Sequence, residues 1–168
     1  NAIESLSNVD VLCLDKTGTL TTNRLKFEEL HCPESGPGEK HVRSALGAML
    51  ASVGSTNRTT VALAKAFPGE RVALQHEVPF SSARKWSAVA FGGPSGGVYA
   101  LGAPEMLRRY VPDAWETLAP CLDGWTGRGL RVLLLCHHPD ATQLRFDSGE
   151  PRLPDAMVPA ALLCLSDE

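Results

Sequence analysis

Seven consecutive residues, Asp15-Lys16-Thr17-Gly18-Thr19-Leu20-Thr21, hold the strongest chemical signal in this chain. They follow Val9-Asp10-Val11-Leu12-Cys13-Leu14, a mainly apolar run that reads as a buried strand of a parallel sheet. An Asp at the C-terminal end of such a strand lies at the sheet edge, where an open α/β sheet binds its ligand. The turn behind it is built of hydroxyl residues and one Gly, so backbone N–H groups and hydroxyls can approach a phosphate closely. A carboxylate in that position can attack a phosphoryl group and carry it as an acyl phosphate.

The string resembles the signature of the P-type ATPases, cation or lipid pumps of the haloacid-dehalogenase superfamily. The resemblance implies that Asp15 is the residue ATP phosphorylates, that Lys16 and Thr17 belong to the same catalytic loop, and that Asp15 and Thr17 hold Mg²⁺. The segment Asn1-Ala2-Ile3-Glu4-Ser5-Leu6 looks like the connection from a membrane helix to the phosphorylation strand. Phosphatases of the superfamily place a second Asp two residues after the nucleophile, as general acid and base. Here that position is Thr17, which favours a longer-lived acyl phosphate and argues against a phosphatase with a large cap.

Composition sets limits around this chemistry. The chain has 168 residues, 43% hydrophobic and 21% charged, with net charge −3, enough for a buried core and without the basic surplus of a nucleic-acid binder. No apolar run reaches the roughly 18–20 residues of a membrane helix, and no signal peptide is read at the start. The five cysteines have no CxxC spacing. Cys13, Cys136 and Cys164 sit in apolar runs and read as buried thiols of a reducing compartment. The family's other phosphorylation strings, a TGD-type loop and a GDGxND-type segment, are missing. The expectation is therefore a monomeric piece of a pump, inactive alone: a phosphorylation-domain stub at 1–22, a nucleotide-binding domain at 23–155, and a returning stub at 156–168.

Between the stubs the pattern alternates strands and helices. Residues 24–31 read as a strand, and 39–53 and 58–67 as amphipathic helices separated by the breaker Gly54-Ser55-Thr56-Asn57. Strands follow at 71–78 and 85–92, with a Gly-rich hairpin at 92–97 and a returning strand at 98–101. Helical segments at 104–110 and 114–126 come next; the second carries the core stripe Trp115, Leu118, Leu122, Trp125. A strand runs from 130 to 136, a short edge strand lies near 143–146, and 158–165 is a buried strand. His137 and His138 are neighbours on a strand, face opposite ways, and make a poor metal pair.

Three stretches resemble the nucleotide-binding motifs of these pumps. Val78-Pro79-Phe80-Ser81-Ser82-Ala83-Arg84-Lys85-Trp86-Ser87 is similar to the family's PFxSxRK stretch, which implies that Phe80 stacks on adenine and Lys85 reaches the base and phosphates. Gly102-Ala103-Pro104-Glu105 is similar to KGAPE, implying that Gly102 and Ala103 lie against the ring, with Leu101 in place of the family's Lys. Gly127 to Cys136 resembles the strand whose Arg, here Arg131, holds the β-phosphate. Register also brings Thr60 to the helix position that meets the adenine amino group, although a capping role serves Thr60 equally well. Ser82 replaces an Arg of some pumps; with Leu101 it predicts weak ATP binding by this piece. Pro104 and Glu105 read as helix-start chemistry.

The expected fold is α/β: an antiparallel β-sheet with flanking helices, the nucleotide-domain fold of these pumps, inserted into a Rossmann-like phosphorylation domain. The resemblance implies an ATP-binding domain on the cytoplasmic side of the cell membrane. It would hinge near 21–24 and 153–159 to present ATP, with Mg²⁺, to Asp15 of a cation pump nearest the bacterial calcium type. Its partners would be the remaining domains of that pump. A nucleotide-sensing regulatory module is the other reading.

Overall fold

Val98, Tyr99, Ala100 and Leu101 are all buried, yet alternate residues belong to two different cores. Successive side chains on a strand point to opposite faces, so a sheet with both faces covered shows an unbroken apolar run instead of alternation. The computed structural model describes residues 10–11, 24–92 and 96–167. Asp15, Lys16, Thr17 and Cys13 lie outside them.

The described chain runs β1 (Leu25–His31), α1 (Glu39–Ser52), α2 (Arg58–Ala66), β2 (Leu74–Val78), β3 (Trp86–Phe91), β4 (Gly97–Gly102) and α3 (Pro104–Leu107). Two 3₁₀ turns, Arg108–Tyr110 and Pro112–Ala114, lead into α4 (Trp115–Gly127) and then β5 (Arg131–His138). The short strands β6 (Arg145–Asp147) and β7 (Glu150–Arg152) precede β8 (Val158–Asp167). Six strands form one sheet in the order β1-β8-β5-β4-β3-β2, every neighbour antiparallel. One face packs on α1 and α2 through Val42, Leu46, Leu63, Tyr99, Leu135 and Leu163. The other packs on α3 and α4 through Leu107, Leu118, Trp125, Ala100, Leu134 and Leu162. Architecture and class agree with the expected antiparallel sheet flanked by helices. Among the described residues no helix is long and apolar enough to cross a membrane.

The last strand departs from its expected place. Residues 158–165 read as a return to a separate stub within 156–168. Instead β8 lies between β1 and β5 and hydrogen-bonds to both, with Leu163 opposite Leu30 on one side and Leu133 on the other. A run buried on both faces is the signature of a parallel strand, but a central antiparallel strand under two helix layers produces the same run. Within 153–159, where a hinge is expected, Leu153 and Met157 are packed into the α3–α4 core. The edge strand expected near 143–146 is one arm of a separate β6–β7 hairpin, closed by Ser148 and Gly149, both with positive φ (51° and 87°). Two left-handed residues form the tight turn whose twist suits a hairpin.

The start of α2 is fixed by a reciprocal cap. Asn57 Oδ1 accepts from the Thr60 backbone N–H at 3.0 Å, and Thr60 Oγ1 accepts from the Asn57 N–H at 2.8 Å. The helix has nine residues, too short to hold itself together, so packing and this cap must. Asn57→Ala is expected to cost about 1 kcal/mol. Urea unfolding of the two proteins measures it; an unchanged midpoint would mean that packing alone sets the helix start.

Candidate functional site

The α2 end that this cap fixes forms one wall of a cleft of about 600 Å³. From α2 come Arg58 and Thr60; from the β2–β3 connection come Phe80 and Lys85; from the end of β4 come Leu101, Gly102 and Ala103. β5 contributes Arg131 and β8 contributes Asp167. All six residues expected to hold a nucleotide, Thr60, Phe80, Lys85, Gly102, Ala103 and Arg131, thus line one cavity although they span 72 positions from 60 to 131.

Phe80 is 48% exposed, far from the burial of a core phenylalanine. Its loop is held from within. Arg84 donates from Nη2 to the Pro79 carbonyl at 3.0 Å, and the Arg84 and Lys85 N–H groups bond to Ser81 Oγ and O at 3.2 and 2.7 Å. The guanidinium of Arg84 also lies 5.4 Å from the ring centre of Trp86, which is buried in the sheet. Phe80 therefore presents an aromatic face on a fixed loop, as stacking requires. Leu101, where the related motif has Lys, is 5% exposed and forms apolar wall. Ser82 does not line the cleft.

Lys85 sits at the cleft's tightest corner. Its φ is 57°, a left-handed value that costs a side-chain-bearing residue energy and tends to be kept at working sites. Its carbonyl accepts from the Ala103 N–H at 2.9 Å, tying the start of β3 to the end of β4. Gly102 stands directly opposite Trp86 in the β3–β4 register. A Cβ there would come 2.4 Å from Trp86 Cβ and 2.5 Å from the Lys85 carbonyl oxygen. The expected reason for a Gly, room for a ligand ring, is therefore not the first one: the neighbouring strand already fills that space.

Most charges of the cleft are arranged in pairs. Lys85 Nζ lies 3.2 Å from Glu105 Oε1, and Arg131 Nη2 lies 4.0 Å from Asp167 Oδ1. Lys85, Glu105 and Arg131 are half-exposed, and pairs of this kind contribute under about 1 kcal/mol, so an anionic ligand can exchange with either carboxylate. Arg58 is the exception, with no carboxylate within ion-pair distance among the described residues. The strongly shifted titratable groups lie elsewhere: burial raises Tyr99 and Cys136 to about 12 and lowers His137 to about 4, and none of the three lines the cleft. An exposed aromatic, an aliphatic wall and three cations suit the binding of a planar base carrying an anion.

Thr60 faces the cleft, but its hydroxyl already accepts from the Asn57 N–H and donates to the Asn57 carbonyl at 2.9 Å. Capping, the alternative reading, is realised. Sequence reasoning missed Arg58, Asp167 and the pairing of Glu105 with Lys85. For Arg58 a signal existed: a cation at the first position of a helix with no acidic residue in its first turn opposes the helix dipole. Among the described residues no three His, Cys, Asp or Glu side chains form a metal-binding group.

No family model matches the chain. It is 36% identical over 168 residues to a probable cation-transporting ATPase, exp7, of Streptococcus pneumoniae, covering 99% of this chain and 20% of that protein. It is 35% identical over 170 residues to the calcium-transporting ATPase CtpE of Mycobacterium bovis, with the same two coverages. A crystal structure of a zinc-transporting PIB-type ATPase shares the fold over 91% of this chain and 20% of that one, with TM-score 0.58 at 15% identity. The chain spans about a fifth of the length of the curated relatives it matches. Along its whole length, then, the chain is similar to one segment of cation-transporting ATPases, and its fold is that of a domain of a solved PIB-type ATPase.

Proposed function

We propose that this segment is the ATP-binding part of a P-type cation pump that presents the nucleotide to Asp15 for phosphoryl transfer. The observation that carries the reading is the convergence of Phe80, Lys85, Gly102, Ala103 and Arg131 on one cleft. Phe80 stacks on the base, Leu101 and the Gly102–Ala103 backbone wall it, and Lys85 and Arg131 take the phosphates from Glu105 and Asp167. Asp15, Lys16 and Thr17 are the catalytic loop of this proposal, Asp15 and Thr17 holding Mg²⁺. The remaining pump domains supply the membrane helices and place this segment on the cytoplasmic side. Similarity to CtpE favours a bacterial calcium-type pump.

Titrating the 168-residue chain with ATP and following backbone amide shifts tests the reading. Saturable shifts are expected at Phe80, Gly102 and Arg131. Phe80→Ala should weaken binding by about 1–3 kcal/mol, the usual worth of one base–aromatic stack. It should leave the unfolding midpoint nearly unchanged, because the ring is half-exposed. No shifts at about 10 mM ATP, an affinity weaker than about −3 kcal/mol, would sink the nucleotide reading in favour of a regulatory module.

A further inference from the structure

Arg58 also lines a second, larger cavity. A groove of about 990 Å³ runs between β1 and α2, sharing Leu25, Asn57 and Arg58 with the cleft. Its apolar lining includes Phe27 and Val61, the latter 49% exposed on the helix surface. Its charged lining is Arg24, Lys26, Arg58 and Lys65, with no Asp or Glu. Only Lys26 is paired among the described residues, to Glu28 outside the groove at 3.2 Å. The contrast with the cleft is sharp, because there Lys85 and Arg131 each face a carboxylate. Four like charges gathered in a chain of net charge −3 repel one another, a cost that an anionic ligand would remove.

We propose that the groove between β1 and α2 is the polyphosphate subsite of the cleft, with Arg58 the residue through which the two communicate. This rests on the nucleotide reading above and extends it. A nucleoside triphosphate with its base at Phe80 passes its phosphate chain by Arg131 to Arg58, and the terminal, most charged end lies among Arg24, Lys26 and Lys65. Arg58 suits the junction because a guanidinium stays charged and can grip phosphate oxygens in bidentate fashion. The unfavourable placement of a cation at the start of α2 then has a purpose: a phosphate there meets the guanidinium and the positive end of the helix dipole together.

The test is isothermal titration of the 168-residue chain with adenosine, AMP and ATP, for the native sequence, Arg58→Ala, Arg58→Lys and Lys65→Ala. In the native chain affinity should rise from adenosine to ATP and fall with added salt. Arg58→Ala and Lys65→Ala should each weaken ATP binding by at least about tenfold, the worth of one charge-assisted contact, and leave adenosine unchanged. Arg58→Lys should recover only part of the loss, because an ammonium keeps the charge but not the bidentate grip. If both alanine variants keep the native ratio of ATP to adenosine affinity while Phe80→Ala still weakens both ligands, the subsite is refuted and the cleft reading survives. If the native chain binds neither ATP nor adenosine, the cleft reading fails and this inference falls with it.

Discussion

Replacing Gly102 by Ala is expected to destabilise the domain by about 2–3 kcal/mol, the upper part of the usual range for overpacking. The added methyl would meet Trp86 Cβ at 2.4 Å, Trp86 Cα at 2.6 Å and the Lys85 carbonyl oxygen at 2.5 Å. None of these atoms is the free end of a flexible side chain. Trp86 is buried in the α3–α4 core, and the Lys85 carbonyl is held by the Ala103 N–H at 2.9 Å. Relief therefore requires β3 and β4 to separate at the corner where Lys85 already sits at φ 57°. The same movement displaces Lys85 and Ala103, so ligand affinity should fall with stability, unlike the loss in Phe80→Ala, which leaves stability intact. Urea denaturation with far-ultraviolet circular dichroism reads the first effect and ATP titration the second. A Gly102→Ala protein with native midpoint and native affinity would show that this corner is softer than its contacts imply.

That corner marks the limit of what the amino-acid sequence conveys. The sequence reading put Phe80 between two strands and Lys85 at the start of the second; the structure puts both in the cleft, with Lys85 one residue ahead of β3. Nothing in the string Ser81-Ser82-Ala83-Arg84-Lys85 announces that Lys85 takes a left-handed conformation, because that conformation is imposed by bonds to Ser81 and Ala103. Helices α1, α2 and α4 were legible from their apolar periodicity, and the ends of α1 and α2 from Gly54 and Pro68-Gly69. The neighbours of β8 were not legible, since burial on both faces says that a strand is central without saying which strands flank it. Arg58 was overlooked for a related reason. A search of the helix start for a group that hydrogen-bonds a base settles on Thr60, and only the fold shows that Arg58 lines both cavities.

The pairing of charges explains why a cleft with three cations need not hold its ligand tightly. In the proposed complex phosphate oxygens would take the places that Glu105 and Asp167 hold beside Lys85 and Arg131, so binding would exchange one partner for another instead of creating new ion pairs. At half-exposed sites such an exchange is nearly neutral, and the net gain must come from stacking on Phe80 and from Arg58, which faces no carboxylate among the described residues. This pairing acts in the same direction as Leu101 and Ser82, the substitutions behind the expectation of weak ATP binding.

The stability of the sheet should fall on mild acidification, and His137 should be a main cause. Its ring is 7% exposed and stacked on Tyr99 at 4.2 Å between ring centres, with Nε2 buried and without a hydrogen-bond partner among the described residues. Nε2 faces Gly97, where a Cβ would approach within 2.8 Å, so the missing side chain makes room for the ring. Burial first, then the nearby His41 and His138, lower its pKa from 6.5 to about 4, with Asp140 opposing. His41 comes from α1 and bonds through Nε2 to the Tyr99 hydroxyl at 2.6 Å. Because the folded-state value is depressed, the unfolded chain binds more protons between these two values, and stability rises with pH across the interval. The contribution is fully present above 6.5, is lost progressively as pH falls toward about 4, and stays constant below. It should reach about 2–3 kcal/mol, a large share of the roughly 5–15 kcal/mol that holds an ordinary domain. His137→Phe keeps an aromatic ring against Tyr99 and removes the proton site. Urea midpoints of the two proteins across this range should diverge as pH falls, the variant losing less, which separates His137 from the carboxylates common to both. The imidazole resonance of His137 should titrate near 4 in the native protein. Parallel stability profiles, or a resonance titrating near 6.5, would mean that the ring reaches water and that acid acts on this sheet through other groups.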